Sequence, residues 1–206
     1  MTLLWITFAT GFGLGLAIAM PVGPISLLCI QQALTRGFGA GIAAGLGVAS
    51  ADAAYGAIAA FGLTAITNFL VNLQVPLRVL GLLAMLWLAF RIWRDADAPK
   101  HLAAGVRSGA ATTAQMFALT IANPMTIITF LALFAGAGAG MAGYDFSAAL
   151  TAGVFAGSFL WWVVLSWIVG IVRERINDRS LGWINRASAL MIAAFGLGIA
   201  IQLVQG

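Results

Sequence analysis

The chain is a series of long apolar runs separated by short polar interruptions. A helix that crosses a bilayer needs about 20 mainly apolar residues. Six runs come near that length: 6–34, 39–65, 75–93, 112–136, 147–171 and 187–204. The pattern therefore predicts six transmembrane helices and no strand. The first run is longer than a straight crossing requires, so it must tilt, bend or protrude.

Two of the runs are interrupted from within. In "GLAIAMPVGPISLL", residues 15–28, two prolines and a glycine sit in the middle of apolar sequence. Gly23-Pro24-Ile25-Ser26 has a counterpart in Asn123-Pro124-Met125-Thr126, with the two prolines 100 positions apart. Each proline follows a residue suited to capping a helix and precedes a hydroxyl by two places. Proline lacks an N–H and clashes with the preceding turn, so a helix breaks before it. At the first position of a new helix the missing donor costs nothing. The expected result is two half-helices capped by Gly23 and Asn123. Their free amides are expected on Ile25, Ser26 and Leu27 in one half, and on Met125, Thr126 and Ile127 in the other. Such ends carry partial positive charge, and bare donors are not tolerated against lipid. An anion such as a carboxylate suits them. For a single proline the competing reading is a structural kink; matched breaks in both halves favour a binding site.

The breaks also suggest an internal repeat. Span two carries Gly41-xxx-Gly45 and span five Gly153-xxx-Gly157. Three spans per half is an odd number, so the second half enters the membrane from the opposite face. The expected fold is all-α: a single polytopic transmembrane domain over 1–206. It is a 3+3 inverted repeat, about 1–93 and 112–206, with broken first and fourth helices and a cytoplasmic loop at 94–111. Interrupted spans in corresponding positions of inverted repeats point to a substrate site near the midplane. Gly11, Gly13, Gly15, Gly41, Gly45 and Gly47 are expected to let helices approach closely. Packing within the chain is favoured over a dimer interface.

Composition agrees with the pattern. Of 206 residues, 62% are hydrophobic and 8% charged, and the mean hydropathy is +1.03. A soluble domain of this size has no use for so much apolar material, which leaves the lipid bilayer as its solvent. The net charge of +4 argues for orientation in a membrane, not for nucleic acid. Nine of the ten basic residues fall in three alternate connections, and Arg78 alone falls on the other side. The positive-inside rule then places both termini on the non-cytoplasmic side. The first basic residue is Arg36, so a cleaved signal peptide, which needs a positive n-region, is not expected. The stretch 173–186 carries Ile176, Trp183 and Ile184 at helical spacing. It reads equally as a short interfacial helix or as a solvated basic loop. Trp5, Trp93 and Trp183 lie near the expected interfaces, where aromatic belts form.

Candidate chemistry is sparse. The single cysteine, Cys29, excludes an internal disulfide, and the single histidine, His101, lies in a charged loop. No cofactor is expected, no metal cage, and no enzyme, since no nucleophile–base pair is visible. Asp52 is the one acid far from a membrane edge. An ionised aspartate at mid-bilayer costs about 2.5–3.5 kcal/mol on insertion scales, so it faces the bundle interior and marks function by default. It could hold a substrate ammonium, carry a proton, or do both in competition. The competing reading is a structural bond to local backbone or to Tyr55 one turn away. Gln31 and Gln32 are secondary polar candidates, of which spacing allows only one to face inward.

Pro21-Val-Gly-Pro24, the glycine-spaced "GAGIAAGLGVASAD" ending at Asp52, and Ala122-Asn-Pro124 together resemble the LysE/RhtB-type amino-acid exporters, over nearly the whole chain. The resemblance implies an inner-membrane exporter of amino acids or related small zwitterionic metabolites, driven by protons. It also brings in a homodimer as a candidate assembly. The site it and the spacing jointly suggest comprises Gly23, Pro24, Ile25, Ser26, Asn123, Pro124, Met125, Thr126 and Asp52. The substrate carboxylate would lie on the half-helix ends and the ammonium near Asp52, which would also couple protons. The alternative is a metal-cation exporter of the same superfamily. Asp52, Cys29 and a few hydroxyls are a thin ligand set for it.

Overall fold

The computed structural model describes residues 2–21, 23–61, 73–96, 109–123, 126, 129–130, 143–173 and 175–205. Among them every regular element is helical. In chain order these are α1 (Thr2–Ala19), α2 (Pro24–Arg36), α3 (Phe38–Ala60), α4 (Gln74–Arg94), α5 (Gly109–Ile121), α6 (Tyr144–Arg173) and α7 (Asp178–Gln205). Four of them, α1, α3, α6 and the Arg179–Ile201 part of α7, are long and apolar enough to cross a membrane.

The run expected at 6–34 is two helices. α1 stops at Ala19 and α2 starts at Pro24, with Gly23 in extended conformation as its N-cap. The break falls where proline chemistry requires it. The fourth run breaks likewise: α5 ends at Ile121, and Asn123 lies outside it. Pro124, Met125 and Ile127 fall outside the described residues, as do His101 and the connection 97–108. The stretch expected as a basic connection at 173–186 is mostly helical. α6 runs to Arg173 and α7 already begins at Asp178, where Leu181 and Asn185 are buried. The buried face of 178–186 packs on α2 and α6 and bonds Ala96 just beyond α4, so the segment joins the bundle instead of lying apart from it.

Between α2 and α3 the chain turns on Gly37 alone. Its φ of 94° lies in the region that side-chain-bearing residues avoid. Its N–H donates to the Ala33 carbonyl at 3.0 Å, and its carbonyl accepts from Ala40 and Gly41 at 3.1 and 3.2 Å. One residue thus ends one helix and starts the next. Arg173, at the end of α6, reaches the same corner. Its Nε donates to the Leu34 carbonyl at 2.7 Å and its Nη2 to the Thr35 carbonyl at 3.3 Å. A cation on the orphan carbonyls of a helix C-terminus is favourable both as a hydrogen bond and against the dipole. Arg36 donates to Thr112 of α5 at 3.2 Å, which ties a third helix to this end.

Small residues hold the long helices together. A Cβ on Gly11 or Gly15 of α1 would strike the carbonyl oxygens of Leu150 and Val154 on α6. A Cβ on Gly153 or Gly157 of α6 would strike those of Phe8 and Phe12 on α1. The two backbones are in direct contact, which no larger side chain permits. Gly45 of α3 receives Trp162 of α6, Gly41 receives Ser166, and Gly47 receives the α5 backbone. Gly13 has open space instead, so it is not one of the contact glycines. α4 packs against α7. α2 lies among α3, α5, α6 and α7, and Ile25 through Cys29 are all buried. The short helix is thus the centre of the bundle, with its N-terminus aimed inward.

Candidate functional site

The break between α1 and α2 is closed by its own residues. Ser26 Oγ accepts from the Gly23 N–H at 3.3 Å and donates to the Pro21 carbonyl at 3.0 Å. Its hydroxyl is therefore occupied by the turn. The Leu27 N–H donates to the Gly23 carbonyl at 3.0 Å. The three free donors expected at this end are thus two, because the cap residue's carbonyl already serves the fourth position. The amides of Ile25 and Ser26 have no acceptor among the described residues, and Pro24 offers none. These two N–H groups carry the positive end of the helix dipole.

The second break is pinned from outside. Tyr55 Oη on α3 donates to the Ile121 carbonyl at 2.6 Å. That carbonyl belongs to the interrupted end of α5, which lacks the next turn to satisfy it. Tyr55 thus serves the break and does not bond Asp52. Beyond it, the Thr126 N–H donates to the Asn123 carbonyl at 3.1 Å, consistent with a new turn capped by Asn123.

Asp52 sits mid-way along α3 and is 2% exposed. Its carboxylate accepts from Ser158 Oγ of α6 at 2.7 Å, a donor that is itself fully buried. No cation pairs with it among the described residues; the one ion pair there is Arg94–Asp95, at an exposed helix end. A buried carboxylate with one hydrogen bond and no counter-ion is costly to keep charged.

These features share one space. A cavity of about 670 Å³ is lined by Gly23, Pro24, Ile25 and Ser26 from the first break, Asn123 and Thr126 from the second, and Asp52 from α3. The volume lies within the range usual for small-molecule sites. Seven of the nine sequence-derived site residues therefore line a single cavity, and the other two, Pro124 and Met125, lie outside the described residues. Gln31 and Gln32 do not line it. Gln32 Oε1 accepts from Arg36 at 3.2 Å, and the Gln31 carbonyl accepts from Thr35 Oγ1 at 2.7 Å.

Some residues in the cavity wall, or behind it as Ser158 is behind Asp52, escape sequence reasoning. Ser158 stands beside Gly157 of the contact glycines, and that proximity to a close-packed face was its only signal. Trp162, one turn further on, looks like any apolar tryptophan in a span. It lines the cavity, is 2% exposed, and its indole N–H has no acceptor among the described residues. Buried tryptophan nitrogens ordinarily find a partner. Thr120 and Thr129 complete the polar wall, but Thr120 Oγ1 already donates to the Met116 carbonyl at 2.8 Å. Among the described residues no three His, Cys, Asp or Glu side chains gather at one place.

No solved structure matches the chain. A protein of Bacillus subtilis (strain 168), YcgF, named as an amino acid efflux protein, is 23% identical over 196 residues, which is 92% of each chain. The family of LysE type translocators matches residues 16–203, spanning both breaks, Asp52 and nearly all of α7. The chain belongs to the LysE type translocator family.

Proposed function

We propose that this multi-pass membrane protein exports amino acids or related small zwitterions in exchange for protons. The substrate carboxylate rests on the amides of Ile25 and Ser26 and on the corresponding end after Asn123. Its ammonium rests at Asp52. The observation that carries this reading is the cavity in which two interrupted helix ends and a lone buried carboxylate meet. A zwitterion supplies the anion that the amides lack and the cation that Asp52 lacks. In an α-amino acid the two charged groups are attached to one carbon, which suits the gathering of both partners around one cavity.

Coupling follows from charge. An empty site with an ionised Asp52 is expensive at that depth. Asp52 is neutralised either by substrate ammonium or by a proton, so one displaces the other and the two fluxes run in opposite directions. The helix pairing supports a 3+3 inverted repeat of six spans, about 1–93 and 112–206. α1 with α6 and α5 with α3 exchange under a two-fold, while α3 with α6 and α4 with α7 pair with their own counterparts. Rocking of the halves about the shared cavity gives alternating access. An exporter of this kind would work in the inner membrane, and the charge bias supports both termini on the non-cytoplasmic side.

The test is Asp52→Asn in liposomes carrying an imposed proton gradient. Gradient-driven amino-acid flux is expected to fall at least a hundredfold, while exchange without a gradient loses its pH dependence. Wild-type flux with wild-type pH dependence in the variant would sink the assignment.

A further inference from the structure

The cavity is chemically lopsided. Its polar groups come from the two breaks with the adjoining Thr120 and Thr129, from α3, and from the indole N–H of Trp162 on α6. Another part of the wall comes from α4 and α7, which contribute Met85, Met191, Ala194, Phe195, Gly198 and Ile199 and no polar side chain. Among the described lining residues there is one carboxylate, Asp52, and no lysine or arginine.

We infer that the site prefers neutral amino acids with a large apolar side chain, an inference that rests on the function proposed above. With the carboxylate on the helix ends and the ammonium at Asp52, the substrate side chain projects at the α4 and α7 wall. A basic side chain would find no second carboxylate there, and an acidic one no cation. A hydroxyl turned to the α4 and α7 residues would be desolvated without a partner there, at a cost that apolar groups escape. Each methylene buried on such a wall favours binding. Met85 and Met191 are unbranched and polarisable, so they adapt to branched and aromatic shapes alike. The missing side chain at Gly198 leaves room beside Phe195, and the cavity volume of about 670 Å³ accommodates the larger side chains.

Binding of single amino acids to the purified protein, read by calorimetry, tests this. Leucine, methionine and phenylalanine are expected to bind at least tenfold more tightly than serine, lysine or glutamate. Phe195 is 46% exposed, so its truncation removes little from the packed core. Phe195→Ala is expected to weaken leucine about tenfold and serine less than twofold. Phe195→Leu, which keeps apolar bulk, holds leucine within threefold. If one variant fails to fold, the other and the wild-type ranking still decide. Serine, lysine or glutamate matching leucine, or leucine binding indifferent to Phe195→Ala, overturns the preference; if that binding still vanishes in Asp52→Asn, the site itself stands. Absence of binding by every amino acid, or binding untouched by Asp52→Asn, overturns the site and the preference together.

Discussion

Ser158 and Asp52 are 106 positions apart in the chain and 2.7 Å apart in space. Neither residue alone accounts for the other's burial. The hydroxyl satisfies one oxygen of a carboxylate that no cation among the described residues approaches, and so makes the acid tolerable without neutralising it. Ser158→Ala leaves a buried acceptor without its donor, a change that costs about 1–3 kcal/mol. The expected outcome is a lower thermal unfolding midpoint in detergent, restored by Ser158→Thr, which keeps the hydroxyl. An unchanged midpoint in the alanine variant would mean that the bond contributes nothing. Asp52 was legible in the sequence because one acid amid so much apolar chain stands out by charge alone. Ser158 was not, since serine crosses membranes freely when it bonds its own helix.

At the scale of elements the breaks govern. Pro21 stops α1, Pro24 starts α2 where its missing donor costs nothing, and Gly23 and Ser26 stitch the gap. Replacing both prolines, Pro24→Ala with Pro124→Ala, supplies the missing N–H groups and removes the clash with the preceding turn. The second helix of each pair can then extend backwards, as far as Pro21 in the first break, and its terminal amides become internal hydrogen bonds. Hydrogen bonds from such amides to a charged carboxylate are worth about 1.5–3 kcal/mol. Substrate affinity is therefore expected to fall at least tenfold, with the folded, monodisperse protein retained on size exclusion. Unchanged affinity would count against the helix ends as the carboxylate site. The positions of both breaks were legible because proline acts on its own turn. The support of the second by Tyr55 was not, because that hydroxyl comes from another helix.

For the whole molecule the arginines supply orientation and the glycines supply assembly. Arg36 and Arg173 tie the ends of α2, α5 and α6 together at the side where basic residues concentrate. Cysteine labelling checks the orientation. Cys29 is 2% exposed, so it adds little background. Thr2→Cys and Gln205→Cys are expected to react with an impermeant maleimide from the non-cytoplasmic face, and Ala103→Cys only after permeabilisation. The reverse pattern would invert the topology. The sequence by itself determined the solvent, the helical class, the two breaks and the placing of Asp52 inside a long apolar helix. Each of these follows from properties local to a residue or a run: hydropathy, a missing N–H, a lone charge. Only the tertiary structure decided which faces meet, and with them Ser158 beside Asp52, Trp162 in the cavity wall and the apolar wall from α4 and α7. The physical reason lies in the bilayer. In water a polar stripe marks the outer face of a helix, but lipid is as apolar as a protein interior, so an apolar helix carries no mark of which side turns inward. Rotation about the helix axis is then settled by close packing of small residues, and that is visible only when the backbones are in place.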